Sequence, residues 1–310
     1  MAPEVDVSHV LASGVEVDAL KIPPALAVEP AGATCGVRVR GLDLGAELPG
    51  EQVFALRQLA DHAGYVVVED QEDLRAESQL RVCEWLGGPY LPPDNDDGLV
   101  TRRTQFVSRL GPDGGSAGQS QVHPHSDNQP AWLTPDFTLL YAVEVPPASA
   151  GGRTEYANLF QAFAALAAEL QERLRGRGQR MLSQKWGNYR CFDAIRASLE
   201  ARGERPSEQD EPSPVVHPAV RTHPVSGTLA LWVSYMTDTL VGDEEADELR
   251  ELTLRLQEHV SRDDFYSLHE WSPNQLVIWD NRCVLHRREA WNPAYTRIMV
   301  GAQAGCARPF

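Results

Sequence analysis

The spacing of apolar residues along the chain changes period several times, and each change marks an element. In CGVRVRGL (35–42) Val37 and Val39 alternate with arginines, the period-two pattern of a strand with one buried face, which Leu42 extends. GEQVFALRQLADHA (50–63) carries Val53, Leu56, Leu59 and Ala60 at helical spacing, and GYVVVED (64–70) is a short buried strand. A helix is expected over 73–86, then a loop rich in Pro, Asp and Gly, PYLPPDNDDG (89–98). Beyond it short strands dominate, at 99–107, 121–127, 137–145, 214–222, 228–235, 275–280 and 295–302. Two helical insertions interrupt them: 158–175, with Asn158 placed to cap it, and 243–260, whose acidic start complements a helix dipole.

Residues 1–33 lack clear periodicity and read as an N-terminal extension draped on a single domain, 34–310. ARGERPSEQDEPSP (201–214) is polar and proline-bearing, and the region 187–214 is expected to be a surface loop or lid, because candidate ligands lie on both sides of it. No internal repeat is visible. One β-sandwich or barrel with helices packed outside accommodates this order better than two domains.

Composition narrows the class. Over 310 residues, 42% are apolar and 23% charged, as in a globular protein with a sizeable core. The formal net charge of -16 opposes general binding to nucleic acid or to an anionic membrane. The five cysteines (Cys35, Cys83, Cys191, Cys283, Cys306) are odd in number and contain no CxxC pair, which argues for a reducing cytoplasm rather than a disulfide framework. The N-terminus does not resemble a signal peptide, and no window has the roughly 18 consecutive apolar residues of a membrane span. The expected partner is a small molecule; monomer and homo-oligomer both stay open.

The chemistry concentrates in VHPHSDNQP (122–130). On an extended strand His125 and Asp127 project from the same face, and Pro124 keeps His123 out of the helical region. A metal site fits this pattern, and so does an exposed turn capped by Asp127. A second stretch, IWDNRCVLHRREAW (278–291), brings a buried strand to a polar turn and presents His286, either a satisfied core histidine or a ligand. Two histidines and one carboxylate would leave three positions of an octahedral ion open, as in non-haem Fe(II) oxygenases. Arg297, eleven positions after His286, offers a fork for a carboxylate if a hairpin joins the two, and Thr154 in GGRT adds a hydroxyl.

Taken together these segments resemble the TauD/TfdA family of Fe(II)- and 2-oxoglutarate-dependent dioxygenases. The features occur in order: VRVRGLDLGAEL, GYVVVEDQ, HSD at 125–127, LLYAVEVPPASAGGRTEYAN at 139–158, WSPNQLVIWDNRCVLHRRE and YTRIM, spanning roughly 34–302. The resemblance implies a mainly β fold with flanking helices around a double-stranded β-helix, the jelly-roll core of clavaminate synthase-like proteins. It implies His125, Asp127 and His286 as iron ligands, with Arg297 gripping the distal carboxylate of 2-oxoglutarate and Thr154 helping to position that cosubstrate. Asn281 and Arg282 are expected to be structural and Trp279 to lie in the core.

The implied reaction consumes O2 and 2-oxoglutarate, releases succinate and CO2, and hydroxylates an unactivated C–H bond of a small organic molecule; desaturation and ring closure are variants of it. Related halogenases replace the carboxylate ligand by a small residue, whereas Asp127 is retained here. Sulfonate-using relatives carry an arginine four positions after the cosubstrate arginine, and here that position is Gly301, which argues against taurine. His123, Asn128, Gln129, Trp132 and Arg102 are the candidates for the substrate pocket, with Arg103 and Arg109 nearby in sequence. Asn128, Gln129 and Trp132, with Tyr90, Trp186, Tyr189 and Tyr235 as further wall candidates, point towards a larger, partly apolar substrate such as a natural-product intermediate or a modified amino acid, whereas the arginines would suit an anionic one. Rival readings are a cupin-type hydrolase or isomerase using another divalent metal, which leaves Arg297 unexplained, and a non-catalytic metal-binding β-sandwich.

Overall fold

The structure, a computed structural model, describes residues 11–90, 105–110, 120–205 and 213–310, the segment 105–110 by its backbone alone. The first half of the chain contains β1 (Ala27–Pro30), β2 (Val37–Arg40), α1 (Gly50–His62), β3 (Tyr65–Val68), α2 (Ala76–Trp85), β4 (Gln105–Leu110), β5 (Val122–His125), β6 (Phe137–Glu144) and β7 (Thr154–Asn158). There follow α3 (Leu159–Ala164), α4 (Ala168–Leu174), β8 (Gly178–Met181), α5 (Gln184–Cys191), α6 (Asp193–Ala201), β9 (Val216–Pro218), β10 (Val220–Thr222), β11 (Leu229–Leu231) and β12 (Thr237–Leu240). The chain ends with α7 (Ala246–Val260), β13 (Tyr266–His269), β14 (Leu276–Asp280), β15 (Val284–Arg288) and β16 (Arg297–Ala304).

Two sheets face each other. The larger has the order β1-β2-β3-β14-β6-β16-β4 and the smaller β13-β7-β15-β5, a jelly roll as expected. All its pairings are antiparallel except β2 with β3, where α1 supplies the crossover that parallel strands need. The central strands β3 and β14 of the larger sheet are buried on both faces. In β3, Val66 and Val68 pack into one core with α1 and α2, while Tyr65 and Val67 face the smaller sheet. Neighbouring β14 repeats this division: Leu276 and Ile278 meet the helices, and Val277 and Trp279 look into the interior between the sheets. The period of two thus sends half of each apolar run to the helical layer and half to the site.

Several sequence expectations change here. The sheet begins inside the stretch read as an extension, because Ala27–Pro30 pairs with Val37–Arg40 as an edge strand. The strand expected at 99–107 starts, within the described residues, at Gln105. The helix expected over 158–175 breaks into α3 and α4. Asn158 does cap its start, accepting from the amides of Phe160 and Gln161, and the Gln171 side chain bonds the carbonyls of Ala164 and Leu166 that the break exposes. The region 187–214 is helical through Ala201, and α5 packs against β5. Strands β7, β8, β12, β13 and β15 carry no separate expectation. No helix among the described residues is long and apolar enough to cross a membrane.

A cluster of buried charges lies beside the site. Arg282 donates to both carboxylate oxygens of Asp280 at 2.7 and 2.6 Å and to Asp61 at 2.6 Å, over the face of Phe137 at 4.4 Å. His223 Nε2 meets Asp280 at 2.9 Å, and Ser226 donates its amide to His223 Nδ1, which fixes the tautomer as Nε2–H. Burial alone would raise the Asp280 carboxyl, but Arg282 and His223 hold it well below the usual range. Replacing Arg282 leaves the buried Asp280 carboxylate without its arginine, while Asp61 keeps only Arg57 at 2.7 Å. Arg282→Ala is therefore expected to lower the unfolding free energy by about 3–5 kcal/mol, read by urea denaturation at pH 7; a loss below about 1 kcal/mol refutes the role.

Burial also pushes His217 down to about 4 and His269 down to about 3. Both stay neutral in the folded chain while the unfolded chain takes up their protons near pH 6.5. Their full contribution is present above that pH and is lost as pH falls towards 4. Between pH 6 and 5 these two histidines alone should cost the metal-free protein about 3 kcal/mol per pH unit, the slope for two protons bound on unfolding, and any further histidine held neutral by burial steepens it. An unfolding free energy that stays flat over this interval contradicts it.

Candidate metal centre

The smaller sheet sets the site's geometry through its register. His286 on β15 lies opposite His125 on β5 on one side and Tyr156 on β7 on the other. One step along, Thr154 lies opposite Arg288 on β15 and His269 on β13. Cross-strand partners share a face. The interior face therefore carries one row of Tyr156, His286 and His125, and a second row of His269, Thr154 and Arg288. The intervening residues point outward, where Arg287 makes a two-pronged bond to Glu155 at 2.7 and 2.9 Å and reaches Asp263.

Asp127 arrives by a different route from the one its spacing implied. Strand β5 stops at His125, and the chain turns through Asn128, whose φ of 50° is left-handed. The carboxylate is fixed by a network: Thr138 donates to Oδ2 at 2.7 Å, Asn281 donates to that Thr138 oxygen at 2.9 Å, and the Asp127 amide donates to Asn281 Oδ1 at 3.3 Å. The Asn281 carbonyl accepts from Ser126 at 3.0 Å and from Trp232 at 2.9 Å. The free oxygen, Oδ1, then lies 3.7 Å from His125 Nε2 and 3.8 Å from His286 Nε2.

These distances exceed a hydrogen bond and suit three donors around one ion; the ligand atoms of the three residues lie within 4.8 Å of one another. Protonation agrees. His125 Nδ1 bonds the His123 carbonyl at 2.9 Å, so the neutral ring turns the lone pair of Nε2 towards Asp127. Burial lowers His125, and burial together with His125 pushes His286 down to about 3, so neither ring supplies a compensating proton. The His125 lone pair and the carboxylate oxygen repel each other, and a cation between them, met also by His286 Nε2, removes that repulsion. The residues present thus fit a divalent metal with two nitrogens and one oxygen. A second group, His223, Asp280 and Cys283, is fully buried and already satisfied by the ion-pair cluster.

Arg297 and His286 are not joined by a hairpin: β15 belongs to the smaller sheet and β16 to the larger, and the residues between them cross from one sheet to the other. Arg297 is buried between the rings of Trp271 and Trp291, at 5.6 and 5.7 Å, and burial pushes its guanidinium down to about 10. Gly151 and Gly152 admit Trp291: a Cβ on Gly151 would stand 2.4 Å from the Ala290 carbonyl, and both have positive φ. Thr154 is buried in the second row, its hydroxyl accepting from Trp271 Nε1 at 2.9 Å.

The expected substrate residues separate. His123 turns its ring to Asp193 at 3.0 Å and serves the centre through its carbonyl. Asn128 donates to Gln303 at 2.9 Å. Gln129 is fully buried, donating to the Trp232 carbonyl and accepting from Ser234, so it is a core residue rather than a pocket wall. Trp132 is 47% exposed beneath Arg308. Arg102 and Arg103 lie outside the described residues, and Arg109 is placed by its backbone in β4 opposite Ile298. Asn281 and Arg282 are structural, and Trp279 is buried with its ring 4.9 Å from that of His286. Sequence reasoning assigned no role to Tyr156, His269 and Trp271, although Tyr156 and Trp271 lie within the segments that carry the family resemblance.

Residues 27–303 match the family described as Taurine catabolism dioxygenase TauD, TfdA family. An alpha-ketoglutarate-dependent 2,4-dichlorophenoxyacetate dioxygenase from Cupriavidus pinatubonensis is 34% identical over 164 residues, 53% of this chain and 53% of its own, so the chain spans about half the length of that relative. An alpha-ketoglutarate-dependent sulfate ester dioxygenase from Pseudomonas putida is 28% identical over 264 residues, covering 84% of this chain and 83% of its own. The crystal structure of a taurine dioxygenase from Burkholderia xenovorans superposes with a TM-score of 0.69 over 92% of this chain and 93% of its own, at 23% identity, a likeness of fold. By a match that covers most of its length, the chain belongs to the TauD/TfdA family of dioxygenases.

Proposed function

We propose that this protein is an Fe(II)- and 2-oxoglutarate-dependent dioxygenase that hydroxylates an unactivated C–H bond of a small organic molecule. The observation that carries the reading is the convergence of His125, Asp127 and His286 with Arg297 buried in the same interior. Family membership and the names of the two aligned relatives support it. His125, Asp127 and His286 would hold Fe(II), and Arg297 with Thr154 would hold the distal carboxylate of 2-oxoglutarate. When bound, the iron and 2-oxoglutarate together supply the oxidising power, with O2 as oxidant and succinate and CO2 as products.

The chain's own residues bind, orient and exclude water. Thr138 and Asn281 hold Asp127 to one free oxygen, and the His123 carbonyl fixes the His125 tautomer. Trp279 and Tyr156 close the interior side. Phe192, between α5 and α6, meets the His125 ring edge-on at 5.0 Å, which supports a covering role for these helices. Of the pocket candidates, Gln129 is hydrogen-bonded within the core and Trp132 lies at the surface under Arg308. The absence of an arginine at Gly301 separates the substrate from taurine.

Anaerobic addition of Fe(II) and 2-oxoglutarate should produce the visible charge-transfer band of the chelate, and His286→Ala should abolish it. Folded protein without the band sinks the reading. Arg297→Ala should weaken 2-oxoglutarate by at least about 30-fold, since it strips a buried charge of its partner, while the affinity for metal alone stays within a few-fold. Equal affinity of both proteins for the cosubstrate contradicts the assignment of Arg297.

A further inference from the structure

Around Arg297 several buried polar atoms find no protein partner among the described residues: both ring nitrogens of His269, the hydroxyls of Tyr65 and Tyr156, Trp279 Nε1 and Arg297 Nε. They form one continuous arc. The His269 ring stands edge-on to Trp271 at 4.7 Å and 6.4 Å from Tyr65, which stacks on Tyr156 at 4.4 Å, and Tyr156 lies 5.7 Å from Trp279. A buried polar group left unmet costs about 1–3 kcal/mol. So many in one place mark a surface shaped to meet something polar. The reading above accounts for Arg297 but gives His269 no task.

Register decides where His269 points. It is the cross-strand neighbour of Thr154 on the interior face, and the Thr154 hydroxyl, accepting from Trp271, keeps its own hydrogen to donate. The Arg297 guanidinium lies over the same Trp271 ring. His269, Thr154 and Arg297 therefore surround one spot. Burial keeps the imidazole neutral, with one N–H to give.

We infer that His269 is a cosubstrate-binding residue whose ring N–H donates to the distal carboxylate of 2-oxoglutarate beside the Thr154 hydroxyl and the Arg297 guanidinium. The inference rests on the cosubstrate reading. It adds a third donor, from β13, to the two implied by the resemblance. It also makes the site selective for a dicarboxylic 2-oxo acid, because a monocarboxylic one leaves the neutral donors unmet.

The test measures binding without turnover, in the full-length Mn(II)-loaded protein, by calorimetry and by quenching of tryptophan fluorescence. Its probes are 2-oxoglutarate and 2-oxopentanoate, which chelate alike but differ in the distal carboxylate. His269→Phe should weaken 2-oxoglutarate about tenfold or more. It should leave 2-oxopentanoate and Mn(II) unchanged, and His269→Gln should recover most of the loss. Equal losses for both acids, or none for either, overturn the inference. A measurement on the unsubstituted protein guards against misfolding of the variants: the 15N shifts of the His269 ring should move on adding 2-oxoglutarate and not on adding 2-oxopentanoate, and the same response to both refutes it. Failure of the unsubstituted protein to bind 2-oxoglutarate at all would instead defeat the cosubstrate reading.

Discussion

The hold of Asn281 on the turn that carries Asp127 is the interaction on which the site depends. Strand β5 delivers His125 by register and then ends, so the carboxylate has no ladder to fix it. Asn281 supplies that fixing through its side chain, by bonding Thr138 and the Asp127 amide, and through its carbonyl, by accepting from Ser126 and Trp232. Its flanking residues, Asp280 and Arg282, are locked in a buried ion pair. The charged residues on either side of Asn281 thus explain a costly burial: they immobilise the one amide that sets the direction of a carboxylate oxygen.

Much of this was legible in the sequence because it rests on local pattern. Alternating Val37 and Val39, the helical spacing of Leu56 and Leu59, and the Asn158 cap all express short-range physics, and each is where it was expected. Family resemblance pointed to the triad and Arg297, but the physical route to the triad differed. Alternation along a strand would pair His125 with Asp127, whereas a left-handed Asn128 and a partner from the other end of the chain bring them together. The proximity of Arg297 arises from two sheets facing each other, a fact of tertiary packing that local spacing does not encode.

The residues that were given no role lie where burial does not follow a readable alternation. His269 and Trp271 lie on and just after the edge strand β13, whose alternation is inverted, with Leu268 exposed and Ser267 and His269 buried, and Tyr156 lies on β7, where four of five residues are buried. Gln129 and Trp132 show the converse. Proximity in sequence to a ligand made them pocket candidates, yet a turn lasting a few residues sends one into the core and the other to the surface. Distance along the chain is a poor measure of distance from a site built on a turn.

The outward Arg287 to Glu155 pair has a bearing on the interior that its energy does not suggest. Exposed ion pairs contribute little to stability. This one joins directly opposed residues of the two strands whose next positions carry His286, Tyr156, Thr154 and Arg288. A slip of one residue between β15 and β7 would break it and carry Glu155 inward, facing the ligand histidines, while Tyr156 and Thr154 left the site together. The pair works as a key cut on the outside of the sheet, admitting only the one alignment in which the inside can hold its chemistry.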